Sequence, residues 1–302
     1  MARAAIWLLA TALLLGPGRP AWARGRKAAK TQKVPPLTKD GWPNVMSRAA
    51  VVLELDSGAE LYAKDPDAVR PIASVGKLFV ALVVRDKQLP LDGKTTITEE
   101  DRTFARGSGK ARSHLYVGRT FTNHDLLRAM LISSDNRAVT AVARGAGLSP
   151  DELVAALNAK ARALGLARTR FTDPTGLNGN ESTPREIAVA LRAALADEVI
   201  ALVLATPTTV IESVDAKKVK VELVSTDRAL RAGKRKILGG KTGYTDEARY
   251  CLAIGAELAG RRYGMVFLGA EGELTRFADF GRAAQWIEDG GPAKAGKAAA
   301  QK

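Results

Sequence analysis

The chain has a single cysteine, Cys251, so no intramolecular disulfide and no cysteine-rich zinc or iron–sulfur site can staple it. Packing must hold the fold. Two histidines, His114 and His124, leave almost nothing for a histidine metal centre and only two candidates for a serine–histidine–aspartate triad. Catalysis, if present, is expected to run without metal, cofactor or histidine. Aromatic residues are scarce, with seven Phe, four Trp and five Tyr, so a base-stacking surface has little to build on and no recognition-helix motif is present. Nucleic acid is not an expected partner. No apolar run reaches the roughly 20 residues that span a bilayer.

What is present is 302 residues, 46% apolar and 26% charged, enough for one domain of ordinary size with a proper core. Lys and Arg number 46 against 32 Asp and Glu, a net charge of +14, which suits an anionic environment or partner. Arg3, the apolar run from Ala4 to Leu15, Gly16-Pro17-Gly18 and Ala21-Trp22-Ala23 read as the three regions of a cleavable export signal over residues 1–23. A retained anchor is the rival, and the run is short for it. The expected location is the periplasm or the outer face of the cytoplasmic membrane, soluble after signal cleavage. Residues 24–40 carry six positive charges from Arg24 to Lys39 with no acid before Asp40, and read as a basic linker too polar to fold alone. Residues 290–302, rich in Gly, Ala and Lys, read as a disordered basic tail. Both suit electrostatic contact with anionic envelope polymers, and equally suit plain solvated termini.

Residues 41–289 remain for one folded domain. Ala49 to Leu55 is a β-type run, turned at Asp56-Ser57-Gly58 into a second strand from Glu60 to Ala63. Ser74 to Val84 has helical apolar spacing, and Asn123 to Ala143 suggests two helices broken at Ser133 to Asn136. Another helix opens at Ser149-Pro150-Asp151-Glu152, with a capping box and Pro at its first position. Ile237 to Tyr244, Tyr250 to Glu257 and Tyr263 to Ala270 read as strands. Phe277, Phe280, Ala284 and Ile287 mark one face of a last helix. Strands at both ends around a helical middle imply an α+β fold, an antiparallel sheet flanked by helices with a mostly helical subdomain inserted.

Three short motifs carry chemistry. In Ser74-Val75-Gly76-Lys77 a helical turn places an amine beside a hydroxyl, and a desolvated amine of lowered pKa could take the hydroxyl proton. A surface serine near a solvated lysine is the bland alternative, opposed by the apolar flanks Pro71-Ile72-Ala73 and Leu78-Phe79-Val80. Ser134-Asp135-Asn136 sits between two helical patterns, suited either to proton relay and amide recognition or to helix capping. Lys241-Thr242-Gly243 lies in a strand, where backbone pairing could align a peptide, the side chains hold an anionic group, and glycine admit a close approach. A phosphate-binding loop at Gly240-Lys241-Thr242 is excluded, because the required earlier glycine is Arg235.

Together and in this order the motifs resemble the S-x-x-K, S-x-N and K-T-G set of penicillin-recognising serine peptidases and β-lactamases. Phe171-Thr172-Asp173-Pro174-Thr175-Gly176-Leu177, Ser182-Thr183-Pro184-Arg185-Glu186 and Lys241 to Leu252 resemble the low-molecular-mass D-alanyl-D-alanine carboxypeptidases, the peptidase S11 family. Ser133 to Ala138 and the ending Phe277-Ala278-Asp279 with Trp286-Ile287-Glu288 look most like its short endopeptidase branch. The resemblance implies a β-lactamase/DD-peptidase-like fold and a serine D-Ala-D-Ala peptidase acting on peptidoglycan stem peptides, with β-lactam antibiotics as covalent inhibitors. It implies Ser74 as acylated nucleophile, Lys77 as its base, and Ser134 with Lys241 as proton relay. Asn136 would bond the substrate backbone, Thr242 the carboxylate, with Gly243 and Tyr244 beside them. The amides of Ser74 and Tyr244 would form the oxyanion hole. Three departures stand out: Gly76 replaces a usual threonine, Arg249 a usual glycine, and Ser225-Thr226-Asp227 an asparagine-flanked pattern. No carboxylate-binding arginine transfers directly, and Arg261 and Arg262 on the next strand are the candidates. A class A β-lactamase would need an E-x-x-L-N segment, which neither Leu157-Asn158 nor Leu177-Asn178 supplies. A non-catalytic penicillin-sensing or envelope-binding protein is the rival from outside enzymology.

Overall fold

The computed structural model describes residues 34–106 and 113–291. The expected export signal, most of the basic linker and nearly all of the basic tail lie outside the described residues. Hydrogen-bonded backbone begins before Gly41, since Leu37 bridges Pro43 and the Thr38 amide donates to the Trp42 carbonyl. No described helix is long and apolar enough to cross a membrane.

The chain opens with β1 (Ala49–Glu54) and β2 (Glu60–Lys64), then β3 (Arg70–Pro71), a 3₁₀ turn (Ala73–Gly76) and α1 (Lys77–Asp86). The middle holds β4 (Lys94–Thr96), α2 (Glu99–Phe104), β5 (Thr120–Thr122), α3 (Asn123–Leu131), α4 (Arg137–Gly145) and α5 (Pro150–Ala163). It continues through β6 (Glu181–Ser182), α6 (Pro184–Ala196), α7 (Glu198–Leu204), β7 (Thr208–Glu212), β8 (Lys220–Val224) and α8 (Arg228–Ala232). The closing run is β9 (Lys236–Thr245), β10 (Arg249–Leu258), β11 (Arg261–Ala270) and α9 (Thr275–Glu288).

The five-stranded sheet has the order β2-β1-β11-β10-β9, and its neighbours pair antiparallel. The first hairpin therefore docks on the last strand, the α+β arrangement expected from strands at both ends. β1 is apolar from Ala49 to Leu53 because both faces of the sheet are covered there. Val51 and Leu53 point into a core shared with α1 and α6, while Ala50 and Val52 point into a second core with Phe280, Trp286 and Ile287 of α9. The capping box at Ser149 and Glu152 forms as the sequence suggests. The region expected to be one helix from Ser74 begins instead as a 3₁₀ turn and becomes α-helical only at Lys77. β9 is an edge strand. The 3₁₀ turn packs beside it, so Ser74 stands where the sheet meets the helical layer.

Candidate active site

Ser74 lies in the first turn of its short helix, where a backbone N–H has no earlier carbonyl to bond. The turn is tight: Ala73 before it takes φ 49°, a left-handed conformation that alanine holds only under constraint. Residues three apart nearly eclipse in a 3₁₀ turn, which brings Lys77 Nζ to 3.2 Å from Ser74 Oγ. The same nitrogen donates to the Ser134 carbonyl at 2.7 Å and to Asn136 Oδ1 at 2.5 Å, and lies 3.2 Å from Ser134 Oγ. Two of these four oxygens belong to carbonyl-type groups that can only accept. A neutral amine has two N–H donors for them and one lone pair left for a hydroxyl proton. Burial drives this state, lowering the Lys77 pKa to about 7 against the opposing charges of Asp135 and Asp173.

Ser134, Asp135 and Asn136 form the break between α3 and α4, and their side chains part ways. Asp135 turns inward as the cap, accepting from the Arg137 amide at 2.9 Å and from Ser113 Oγ at 2.7 Å. Burial pushes its carboxyl above the usual range. Ser134, at φ 61°, and Asn136 instead face Lys77. Capping thus accounts for the middle residue of the motif and not for its neighbours.

On β9, Lys241 is 1% exposed and its Nζ donates to the Thr242 carbonyl at 3.0 Å. Burial, with the positive charges of Lys77 and Arg276, holds its pKa well down. Thr242 Oγ1 donates to Thr226 Oγ1 at 2.6 Å. Gly243 lines the cleft and also has a role within the fold. A Cβ there would stand 2.9 Å from the Ile72 carbonyl and 3.1 Å from the Ser74 nitrogen. Its absence lets the strand close on the turn that bears Ser74. Gly176, at φ 85°, does the same from the other side, where a Cβ would meet the Ala73 carbonyl at 2.5 Å. The Asp173 carboxylate fixes that loop by accepting from the amides of Thr175, Gly176 and Leu177 at 3.1, 2.6 and 2.8 Å.

Arg261 and Arg262 are not at the site. They pair with Glu54 and Asp56 at the other end of the sheet. From Leu252, opposite Thr242, to Leu258, opposite Arg261, is about 20 Å along β10. The arginine beside Thr242 and Gly243 is Arg276 of α9, whose Nη1 donates to the carbonyls of Gly243 at 2.8 Å and Cys251 at 2.9 Å. Its guanidinium lies 5.2 Å from the Tyr250 ring centroid, and Tyr250 stacks at 4.3 Å on Tyr244. The apolar spacing of the last helix pointed to Phe277 and Phe280 and gave no sign of Arg276. The only available signal was a charge set directly before a core-facing residue.

Two of the three departures, Gly76 and Arg249, find local explanations. Gly76 is right-handed helical, and the Phe171 ring fills the space that a side chain there would occupy. Arg249 takes φ 56°, a conformation natural to the glycine it replaces.

These groups share one cleft of about 930 Å³, lined by Ser74, Ser134, Asn136, Thr242, Gly243 and Tyr244 among others, with Lys77 and Lys241 buried behind its wall. Neither histidine lines it. A hydroxyl bonded to a desolvated lysine, a second hydroxyl on that lysine and an open strand edge define a serine acyl-transfer site of the Ser–Lys kind, on an α+β fold. Residues 34–272 match the profile of the D-alanyl-D-alanine carboxypeptidases, peptidase S11. The chain belongs to that family. It is 34% identical over 259 residues to a D-alanyl-D-alanine endopeptidase of Pseudomonas aeruginosa, covering 84% of this chain and 82% of that one. To a D-alanyl-D-alanine endopeptidase of Escherichia coli it is 31% identical over 259 residues, 85% and 82% of the two chains. The structure superposes on the crystal structure of a Mycobacterium tuberculosis D-alanyl-D-alanine carboxypeptidase with a TM-score of 0.70 at 30% identity, covering 82% of this chain and 92% of that one. On the Streptomyces K15 DD-transpeptidase the TM-score is 0.74 at 25% identity, covering 81% and 97%.

Proposed function

We propose that this protein is a serine D-Ala-D-Ala peptidase that cleaves peptidoglycan stem peptides through a Ser74 acyl-enzyme, outside the cytoplasmic membrane after export by its first 23 residues. The observation that carries the proposal is the four-oxygen setting of Lys77 Nζ, which leaves one lone pair for a hydroxyl proton. Ser74 Oγ attacks the penultimate D-alanine carbonyl while its proton passes to Lys77. The oxyanion is held by the amides of Ser74 and Tyr244, on the two backbone segments that Gly243 lets close together. When the C–N bond breaks, Ser134 Oγ gives its proton to the leaving amine and recovers one from Lys77, 3.2 Å away. Asn136 bonds the substrate backbone, and Thr242, with Lys241 and Arg276 behind it, receives the terminal carboxylate. Water then releases the acyl group.

A β-lactamase would need a base for fast deacylation. The acids lining the cleft are all occupied: Asp135 by Ser113 and the Arg137 amide, Asp246 by the Tyr244 hydroxyl at 2.7 Å, and Glu273 by Arg228 at 2.8 Å. A penicilloyl adduct should therefore persist, making β-lactams covalent inhibitors. Both curated relatives named above are endopeptidases, which supports cleavage of cross-links. Digestion of purified cross-linked muropeptides with mass analysis tests this: dimers falling to monomers mark an endopeptidase, and loss of one D-alanine alone marks a carboxypeptidase. Neither product would defeat the peptidase reading.

A further inference from the structure

Asp227 is 1% exposed, and its fold accounts for only one of its two carboxylate oxygens. It closes the Ser225-Thr226-Asp227 segment and caps α8, with Oδ1 accepting from the Ala229 amide at 2.8 Å and the Leu230 amide at 3.3 Å. Asparagine or serine would cap as well. Oδ2 is buried with no hydrogen-bond partner, and it lies against β9, where a Cβ on Gly240 would meet it at 2.5 Å. Burying an unpartnered carboxylate oxygen is costly unless a nearby charge offsets it.

Two buried cations supply that charge. Lys241 follows Gly240 on β9, and Arg276 of α9 is 5% exposed, with its Nε buried and unpartnered. Burial pushes the Asp227 carboxyl above the usual range, and the capping amides, Arg276 and Lys241 pull it back. The influence is mutual. At Lys241, burial and the positive charges of Lys77 and Arg276 disfavour the proton, and Asp227 favours it. Arg276 also faces Cys251, Tyr250 and Glu273, and Glu273 is itself paired with Arg228 of α8 at 2.8 Å. The Nζ of Lys241 donates to the Thr242 carbonyl, so a protonated amine there keeps two further N–H groups.

We propose that Asp227 is a positioning residue that keeps the proton on Lys241, so that Thr242 is backed by a charged lysine as well as by Arg276 when a carboxylate arrives. The proposal rests on the peptidase reading for the place of that carboxylate, and its test separates the two. Acylation by benzylpenicillin, which bears one carboxylate, is followed across pH for the wild type and Asp227→Asn. Loss of the Lys241 proton should slow the reaction at alkaline pH. Removing the Asp227 charge should bring that loss to lower pH by about one unit, the smaller end of what an adjacent opposite charge does. Above both midpoints the variant should acylate about tenfold more slowly, while the rise through about 7 that belongs to Lys77 stays in place. Asparagine keeps the cap, so Tm should change by only a few degrees, and Asp227→Ser, another neutral cap, should show the same displaced limb. NMR titration with 13C at the lysine ε carbon, assigned by the signal lost in Lys241→Arg, reads the Lys241 midpoint without any reaction. A midpoint that stays in place or rises in both variants would overturn the proposal whatever happens to Tm, since capping alone predicts that result. So would an alkaline limb that stays in place although the midpoint has fallen. A lowered midpoint in a protein that penicillin never labels would support the role of Asp227 and overturn the peptidase reading instead.

Discussion

Replacing Gly243 with alanine adds one methyl group at the point where β9 closes on the turn that bears Ser74. That carbon would lie 2.9 Å from the Ile72 carbonyl oxygen, 3.1 Å from Ala73 Cβ and 3.1 Å from the Ser74 nitrogen. Relaxed contacts between carbon atoms run at about 3.5–4.0 Å, so the two segments must separate by roughly half an ångström. Two of the three obstructing atoms are backbone, so no flexible side chain can yield instead. The separation falls between the two amides assigned to the oxyanion, those of Ser74 and Tyr244. Since a displacement of about 1 Å at a reacting centre can cost about a hundredfold, half of it should slow acylation by roughly tenfold. Forcing the methyl into a packed position should also cost about 1–3 kcal/mol of stability, some 2–10 °C in Tm for a domain of this size. Stopped-flow acylation with a fluorescent penicillin reads the first effect and calorimetry the second. Wild-type acylation within about twofold, with an unchanged Tm, would refute the reasoning and return Gly243 to a ligand-contact role.

Lys77→Arg keeps the charge but removes a group that can be neutral, and acylation should fall at least about a hundredfold in the same assay. The base form of Lys77 is the unprotonated one, so acylation should rise with pH through a midpoint near the value of about 7 that burial imposes. Asp135→Asn removes a charge that raises that value, and should move the midpoint to lower pH in a pH–rate profile. Arg249→Gly relieves a left-handed arginine whose contact with Glu271, at 3.7 Å, is exposed. It should stabilise the fold by about 1 kcal/mol, seen as a Tm rise of a few degrees, with acylation unchanged.

Much of the fold was legible because its signals are local. The alternation that splits β1 between two cores, the turn at Ser57-Gly58 and the box at Ser149 and Glu152 each act within a few residues. α6 is also locally marked, with Thr183 as cap and Pro184 in its first turn. The β7–β8 hairpin is weakly marked in the sequence. Val210, Val214 and Val224 are exposed there, which blurs the alternation that marks a half-buried ribbon. At the site, the i and i+3 geometry of Ser74 and Lys77 was readable from spacing. The convergence of Asn136 and the Ser134 carbonyl on the same nitrogen was not, since it depends on how the break between α3 and α4 packs against α1. Arg276 was missed for a related reason. Its role comes from the carbonyls of Gly243 and Cys251 on two other strands, and nothing in the helix that bears it records them.

The central claim is that Ser74 becomes acylated and that no described carboxylate lining the cleft is free to drive fast hydrolysis of the adduct. Incubating the protein with benzylpenicillin and locating the adduct by mass spectrometry of the digested chain tests it directly. A mass gain equal to one intact, ring-opened penicillin on the peptide containing Ser74, stable over many minutes and absent from Ser74→Ala, is the expected result. Rapid turnover of penicillin with no trapped adduct, or an adduct on any other residue, would contradict the account.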